Sequence, residues 1–274
     1  MVIHSNLLAE GLDDILYTVL TEGDDELLVI NPTAETVEAL VSVATAFDGD
    51  LPTVRVVADD TLLKDVVDDF IVASNAADLV DEGVLSLKTG AGSEENSLIV
   101  TEEVVLALVT TGDRVAALAT DDEEFVDSAY ETYLGQWAEA PEFKLRTPSI
   151  SVVRESLEAD ISEGIRADFD TVLSSLQTAR GDGQGLDEVT ISLLVAAKND
   201  VLLYDISKWG EDIGIASKAT FSRTKTKLED MGLIATEKVP IDVGRPRLRL
   251  KLGDDRLRQA DADQLAGVAQ SLLA

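Results

Sequence analysis

The segment that most restricts the fold of this 274-residue chain is residues 217–232. Ser217 is a residue type that caps helices, and Phe221 and Leu228 follow at spacings that place them on one helical face. Gly232 predicts the end of this helix, because glycine adopts a left-handed backbone conformation with little strain. A capped and terminated amphipathic helix is therefore predicted here.

Further elements are predicted on either side of that helix. An apolar helix is expected over 186–198, and a second helix over 206–213 ends before a tight turn at Gly214. After the third helix, IATEKV (234–239) predicts a strand, and RLRLKL (247–252) alternates basic and apolar residues with a period of two. The predicted order is helix, helix, turn, helix and a two-stranded hairpin.

This order resembles the winged helix-turn-helix family, whose third helix enters the DNA major groove. The resemblance is carried by Ser-x-x-Thr-Phe-Ser-Arg at the start of the third helix, Lys-Leu-Glu-x-x-Gly-Leu-Ile at its end and Gly-Arg-Pro-Arg in the hairpin loop. Since Phe221 and Leu228 must face the core, the opposite face is predicted to contact DNA, together with the wing. The predicted DNA-binding residues are Ser217, Lys218, Thr220, Ser222, Arg223, Thr226, Lys227, Arg245, Arg247 and Arg249.

The charge of this region supports the same prediction. Residues 217–251 contain nine Lys and Arg against four Asp and Glu, a local charge of +5 in a chain with a formal net charge of −31. Phosphate contact is a physical reason for such an exception. For Lys225 and Lys227 the alternative is that they only keep the helix surface soluble.

The acidity of the rest of the chain has two interpretations. The 53 Asp and Glu, against 22 Lys and Arg, could form a functional anionic surface, or they could adapt the protein to a cytoplasm with molar salt. The acids are spread along the whole chain, which favours salt adaptation and predicts a halophilic archaeal source. With no recognisable signal peptide or long apolar run, a cytoplasmic protein without membrane contact is expected.

The first 140 residues alternate strand and helix patterns, which predicts an α/β (α+β) domain with a central sheet. Helices are expected over 5–21, 33–47, 60–80 and 121–137, and strands over 26–32 and 53–58. A meander of hairpins is expected over 85–89, 97–101, 104–110 and 114–120. In the last helix, an aromatic stripe that runs from Phe125 to Trp137 is either a ligand platform or core packing.

This domain resembles the effector domain of TrmB-type archaeal regulators. The resemblance is carried by DELLVINP, TVRVVADD, SLIVTEEVVLALVTT and the aromatic helix that ends at Trp137. It implies a phospholipase-D-like fold that has lost catalysis. Over its full length, including TPSISVVRESLEADI, the chain resembles haloarchaeal regulators of the TbsP type, which implies control of sugar metabolism together with TrmB.

Catalysis and cofactor binding are not predicted. Active phospholipase-D folds need His-x-Lys motifs, and the single histidine, His4, is not followed by one and is expected at the terminal surface. The chain lacks cysteine and any zinc ligand set, and GAGS at 90–93 lacks the lysine of a phosphate-binding loop. The predicted protein is not an enzyme and has no cofactor or metal.

Three parts are predicted along the chain: a sensor-like domain (1–140), a helical connector suited to dimerisation (141–180) and the winged helix domain (186–274), preceded by the glycine-rich linker RGDGQG. The predicted function is a dimeric transcription regulator that binds double-stranded promoter DNA and controls sugar or gluconeogenic genes in response to a small metabolite. The alternative is a DNA-associated or partner-binding adaptor that senses no effector.

Overall fold

A computed structural model describes residues 6–9, 11–23, 25–90, 96–112, 114–180, 186–242 and 244–273. The chain divides into two compact units, one of residues 1–67 and 75–145 and the other of residues 68–74 and 146–274. His4, most of the GAGS segment and linker residues 181–185 lie outside the described residues.

In the described part of the first unit, seven strands form one sheet in the order β1-β7-β6-β5-β2-β3-β4. The strands β2, β3 and β4 are parallel, and the other pairings are antiparallel. The strands are β1 (Leu7–Ala9), β2 (Glu26–Ile30), β3 (Thr53–Ala58), β4 (Leu85–Thr89), β5 (Leu98–Val100), β6 (Val105–Thr111) and β7 (Arg114–Thr120). The helices are α1 (Leu12–Glu22), α2 (Ala34–Thr45), α3 (Asp60–Val66), α4 (Phe70–Asp81) and α5 (Glu123–Glu139).

The predicted four-strand meander is wrong in its first member. Only β5, β6 and β7 form a meander, whereas β4 pairs in parallel with β3, with Val54 opposite Leu85. The reason is that β4 follows a helical crossover, and a crossover returns the chain parallel to the preceding strand.

The predicted helix over 5–21 is also wrong at its start. Leu7–Ala9 forms β1, which pairs with β7 more than 100 residues away, and α1 begins only at Leu12. Long-range pairing decides the structure of so short a segment, and helical periodicity cannot detect it.

The predicted helix over 60–80 consists of two helices. Asp59 caps α3, accepting hydrogen bonds from the amides of Thr61 and Leu62. A new helix, α4, then starts at Phe70, because the buried Asp69 carboxylate accepts from the amide of Ile71 at 2.9 Å. Phe70 packs edge-on against Phe169, so it belongs to the core of the second unit.

In the second unit, α8 lies at the centre of one apolar core and its residues Val189 to Ala197 are all buried. The elements are α6 (Ile150–Asp160), α7 (Glu163–Ser174), α8 (Glu188–Lys198), α9 (Leu203–Asp212), α10 (Lys218–Asp230), β8 (Ile234–Val239), β9 (Arg247–Leu252), α11 (Asp255–Gln259) and α12 (Ala262–Leu273). The helices α11 and α12 were not predicted from the sequence. The mixed α/β first unit and the helical second unit with its hairpin confirm the predicted fold class.

The helices predicted as a connector, α6 and α7, belong to the second unit. Their apolar stripe, which includes Val153, Leu157 and Phe169, is buried in that unit's own core. In the described ranges, no helix is both long and apolar enough to span a bilayer. The three-part division of the chain stays a prediction.

Candidate nucleic-acid interface

The second and third helices of the motif, α9 and α10, cross at a glycine. A Cβ atom added to Gly210 would lie 2.4 Å from the ring of Phe221, so a larger residue forces that ring to move. Gly214 follows with a φ of +86°, and the amide of Ile215 donates to the carbonyl of Gly210 at 2.8 Å. The tight turn predicted at Gly214 is confirmed, and it aims α10 away from α9.

The ends of α10 are formed as the sequence predicts. The hydroxyl of Ser217 accepts a hydrogen bond from the amide of Thr220 at 3.2 Å, which is the interaction of a helix N-cap. At the other end Gly232 has a φ of +75°, and the amide of Leu233 donates to the carbonyl of Leu228 at 2.9 Å. These contacts keep α10 at thirteen residues and set which side chains share a face.

One face of α10 is buried and the opposite face is exposed. Phe221, Lys225 and Leu228 are the buried side chains of the helix. Ser217, Ala219, Ser222, Arg223, Thr226 and Lys227 are exposed, and Lys218 and Thr220 are half-buried at the edges. The structure therefore places the predicted α10 residues on or beside one exposed surface.

Lys225 is not part of that surface. It is only 8% exposed, and its Nζ lies 2.7 Å from a carboxylate oxygen of Glu229. The other carboxylate oxygen of Glu229 accepts from the hydroxyl of Thr236 in β8 at 2.7 Å, and the two hydrogen bonds, with Lys225 first, lower the pKa of Glu229. The suggestion that Lys225 is a surface lysine is wrong, because it is buried and pairs with Glu229, which joins α10 to the wing hairpin.

Hydroxyl groups and one arginine form a short network on the exposed face. The guanidinium of Arg223 donates to the hydroxyl of Thr220 at 3.3 Å, and that hydroxyl lies 3.0 Å from the hydroxyl of Ser217. The hydroxyl of Thr226 donates to the carbonyl of Ser222 at 3.0 Å. Arg223 is thus directed toward the N-terminal end of α10, the end that reads base edges in this class of motif.

The wing is the hairpin of β8 and β9, in register from Ile234 opposite Leu252 to Val239 opposite Arg247. Arg245 is exposed in the loop between the strands. Arg247 lies 3.5 Å from the Asp205 carboxylate and 4.3 Å from the ring centroid of Tyr204, both in the first turn of α9.

Acidic partners reduce the local positive charge that the sequence predicts. Lys218 pairs with Glu211, Arg247 with Asp205 and Lys251 with Asp200, and all three acids precede the 217–251 segment. Arg249 pairs with Glu237 at 3.8 Å. The hydrogen bond between Lys218 and Glu211 raises the pKa of the lysine and lowers that of the carboxyl, so both stay charged at neutral pH.

Three of the six predicted contact residues that carry a positive charge have no acidic partner among the residues that the structure describes: Arg223, Lys227 and Arg245. The sequence analysis missed Tyr204, which is 47% exposed beside Arg247. Tyr204 is a single aromatic residue in the first turn of α9, and no local sequence pattern marks it as exposed. Contact of these residues with DNA stays a prediction.

The helices α8, α9 and α10 with the β8–β9 hairpin define a winged helix-turn-helix module, the architecture of DNA-binding regulators. Two family models match the chain: the N-terminal domain of TbsP-like transcriptional regulators over residues 4–148, and their C-terminal helix-turn-helix domain over residues 149–270. The chain therefore belongs to the TbsP-like transcriptional regulators, and the predicted resemblance is confirmed.

Solved structures similar to the chain include TrmBL2, described as an archaeal chromatin protein with a novel mode of DNA binding. It is 14% identical with a TM-score of 0.37, over 52% of this chain and 55% of its own, so this chain spans about half its length. Nuc from Salmonella typhimurium, a phospholipase D family member, is 13% identical with a TM-score of 0.36, over 51% of this chain and 98% of its own. Such scores carry no argument about function, and no curated protein matches the chain significantly.

Proposed function

We propose that the chain is a dimeric, effector-responsive regulator that binds double-stranded promoter DNA of metabolic genes in a halophilic archaeon. The observation that carries the proposal is the exposed face of α10, where Arg223 stands among small hydroxyl side chains without an acidic partner in the described residues. In a chain of formal charge −31, such a surface needs an anionic partner.

The chemistry of this face suits the DNA major groove. Arg223 would bind guanine O6 and N7, and Ser222 and Thr226 would contact phosphates or base edges. Arg245 in the wing would reach the backbone or the adjacent minor groove. In molar salt, counterion release contributes little, since affinity falls steeply with salt. Base contacts by Arg223 and its hydroxyl neighbours therefore carry more of the binding than the lysines do.

The cations that pair with acids, Lys218 and Arg247, would bind DNA by exchanging a carboxylate partner for a phosphate. Lys218 and Arg247 are held in ordered positions by Glu211 and Asp205 at the protein surface. Exposed ion pairs contribute little to stability, so a phosphate can replace the carboxylate with little loss. We infer that these acids keep the cations in place and lower the affinity for nonspecific DNA.

The dimer follows from the usual geometry of helix-turn-helix regulators, in which two recognition helices bind half-sites about one DNA turn apart. Since the apolar stripe of α6 and α7 is buried in its own unit, we expect exposed surfaces other than this stripe to form the interface. Light scattering in molar KCl is expected to give twice the chain mass of 29.3 kDa. A mass of one chain would contradict the dimer.

Promoter binding in the cytoplasm is tested by genome-wide occupancy of the tagged chain in cells grown on two carbon sources. We expect peaks at a small set of metabolic promoters that change in height with the carbon source. Diffuse occupancy would favour a DNA-associated adaptor, and an absence of peaks would favour a protein-binding adaptor. Either result would contradict the proposal.

A further inference from the structure

A cavity of about 500 Å³ lies in the first unit, between β5, β6 and β7 and the first turns of α5. Its floor consists of Leu98, Val105, Ala107 and Leu118, and Phe125 and Tyr133 of α5 form the aromatic wall. Small-molecule sites in proteins have volumes of roughly 300–1,000 Å³ and linings of this mainly apolar kind.

The position of α5 explains why the cavity exists. The helix packs over β2 and β5 through Val126, Tyr130 and Trp137, which join the core formed by Leu28 and Ile30. The neighbouring strands β6 and β7 extend beyond that contact, so part of their face stays uncovered. Leu118 and Phe125 are consequently 49% and 56% exposed across this opening.

Charge defines what the cavity can hold. Charged residues make up 27% of the chain, yet none of the described residues that line the cavity is charged. An ionised ligand would lose part of its hydration there without gaining an opposite charge, which is unfavourable. The lining therefore selects against phosphorylated and carboxylated molecules.

Three hydroxyl groups give the cavity a polar edge: those of Thr120, Ser128 and Thr132. The hydroxyl of Thr132 donates to the carbonyl of Ser128 at 2.7 Å and can still accept a hydrogen bond. The hydroxyl of Thr120 accepts from the amide of Asp122 at 3.4 Å and can still donate one. This edge can bind hydroxyl or carbonyl groups of a ligand.

We propose that this cavity binds an uncharged amphipathic small molecule, with its apolar face on Leu118 and Phe125 and its hydroxyl or carbonyl groups toward Ser128 and Thr132. The aromatic stripe of α5 thus has both predicted roles, since Tyr130 and Trp137 are core packing and Phe125 is a ligand platform. Because α5 ends at Glu139, just before the segment that leads into the second unit, the bound molecule fits the effector of the proposed function, on which this regulatory role rests.

A second copy of this chain is a less suitable occupant. The acidic run 121–124 leads into α5 immediately beside Phe125, and residues 121–124 are exposed. A symmetric interface through this cavity would bring two such runs together, and like charges across an interface oppose association. A concave apolar surface with an acidic border fits a small neutral molecule better.

The test uses two dyes that share an aromatic scaffold and differ in charge, with the full chain in molar KCl and no DNA. N-phenyl-1-naphthylamine is neutral, and 1-anilinonaphthalene-8-sulfonate carries a sulfonate. We expect saturable one-to-one fluorescence enhancement with the neutral dye, and binding weaker by at least about tenfold with the sulfonate. The exposed position of Ser128 allows Ser128→Trp to block the opening without disturbing the core, and this variant should abolish binding of the neutral dye.

Gln136→Trp is the matched control, since Gln136 is exposed on the same helix and does not line the cavity. Equal affinity for both dyes, no saturable binding, or the same affinity in both tryptophan variants would overturn the proposal. A change of oligomeric mass in Ser128→Trp alone would overturn it in favour of a second copy. Dye fluorescence needs no DNA, so failure of this site and failure of DNA binding are separate results.

Discussion

The end of α5 in the first unit and the candidate DNA-binding surface of the second unit use cations in opposite ways. In the first unit, Arg55 lies 2.8 Å from the Glu26 carboxylate and 5.9 Å from the ring centroid of Trp137. Lys88 donates to the Trp137 carbonyl at 2.8 Å, with its Nζ 4.7 Å from the same ring centroid. These cations hold the C-terminal end of α5, where the helix dipole and the aromatic face both favour positive charge.

On the exposed face of α10 and in the wing of the second unit, the cations remain at the surface and available. Arg223 and Arg245 have no acidic partner among the described residues, and Lys218 pairs with an acid that a phosphate can replace. The number of lysines and arginines in a region therefore does not by itself indicate a binding surface. The kind of partner decides whether a cation is available to bind DNA. A backbone carbonyl and an aromatic ring keep a cation within the fold, whereas a DNA phosphate can replace an exposed carboxylate.

The largest effect is expected where α10 is held in place. Gly210→Ala should destabilise the second unit by about 2–3 kcal/mol, because the added Cβ would lie 2.4 Å from the Phe221 ring. Denaturant unfolding in molar KCl measures this, and DNA affinity should fall as well. Gly267→Ala in α12 is the control, since nothing lies within 4 Å of its Cβ. Equal stability of the two variants would show that the close crossing is not rigid.

A pair of lysine substitutions tests the comparison directly. Lys88→Met should destabilise the first unit by about 1–2 kcal/mol through loss of the Trp137 contacts and leave DNA affinity unchanged. Lys227→Met should leave stability unchanged, weaken DNA binding and lower the salt-dependence slope by about 1. Thermal unfolding and fluorescence anisotropy at several KCl concentrations measure both. If the two variants had the same effects, the distinction between the units would be lost.

Removal of an acid should strengthen DNA binding. Glu211→Gln removes one negative charge and the partner of Lys218, so we expect affinity to rise about two- to fivefold, with a larger gain for nonspecific DNA. Asp60→Asn, which removes the exposed partner of Lys64 in the first unit, should leave affinity unchanged. Weaker binding by Glu211→Gln would mean that the pair helps to position Lys218 on DNA.

The smallest effect concerns alkaline pH in the first unit. Partial burial, followed by the hydrogen bond to Glu26, raises the pKa of Tyr130 to about 12 from 10.0. The folded state therefore favours the protonated phenol, and this contribution to stability is complete below pH 10.0 and is lost as pH rises through about 12. The difference in unfolding free energy between wild type and Tyr130→Phe should stay constant below pH 10.0 and change only in that window. If the phenol of Tyr130 titrated with a midpoint near 10.0 when followed by absorbance, its partial burial would be contradicted.

Local sequence signals predicted the winged helix well. The cap at Ser217, the stop at Gly232 and the alternation in β9 are properties of a few neighbouring residues, and the structure has all three. The failures were long-range: β1 pairs with β7, and Phe70 packs in the core of the second unit. A single sequence contains no direct signal for contacts between positions so far apart.

The candidate DNA-binding surface was likewise predicted only where neighbouring residues determine it. The sequence predicted which α10 residues share an exposed face, because helical periodicity fixes that. It did not predict that Asp200, Asp205 and Glu211 neutralise part of the charge, since these pairs depend on how α9 and the wing pack. Burial of Lys225 was missed because its partner Glu229 meets Thr236 of β8 only in the folded unit.

The central claim is that Arg223 and Arg245 carry specific DNA binding while the chain stays folded. Fluorescence anisotropy in molar KCl, on a promoter fragment chosen from the occupancy peaks, tests this with the double variant Arg223→Ala/Arg245→Ala. We expect a loss of affinity of at least about tenfold per arginine with an unchanged unfolding midpoint. Arg114→Ala, an exposed arginine of the first unit, should bind like wild type. Retained binding by the double variant would contradict the account.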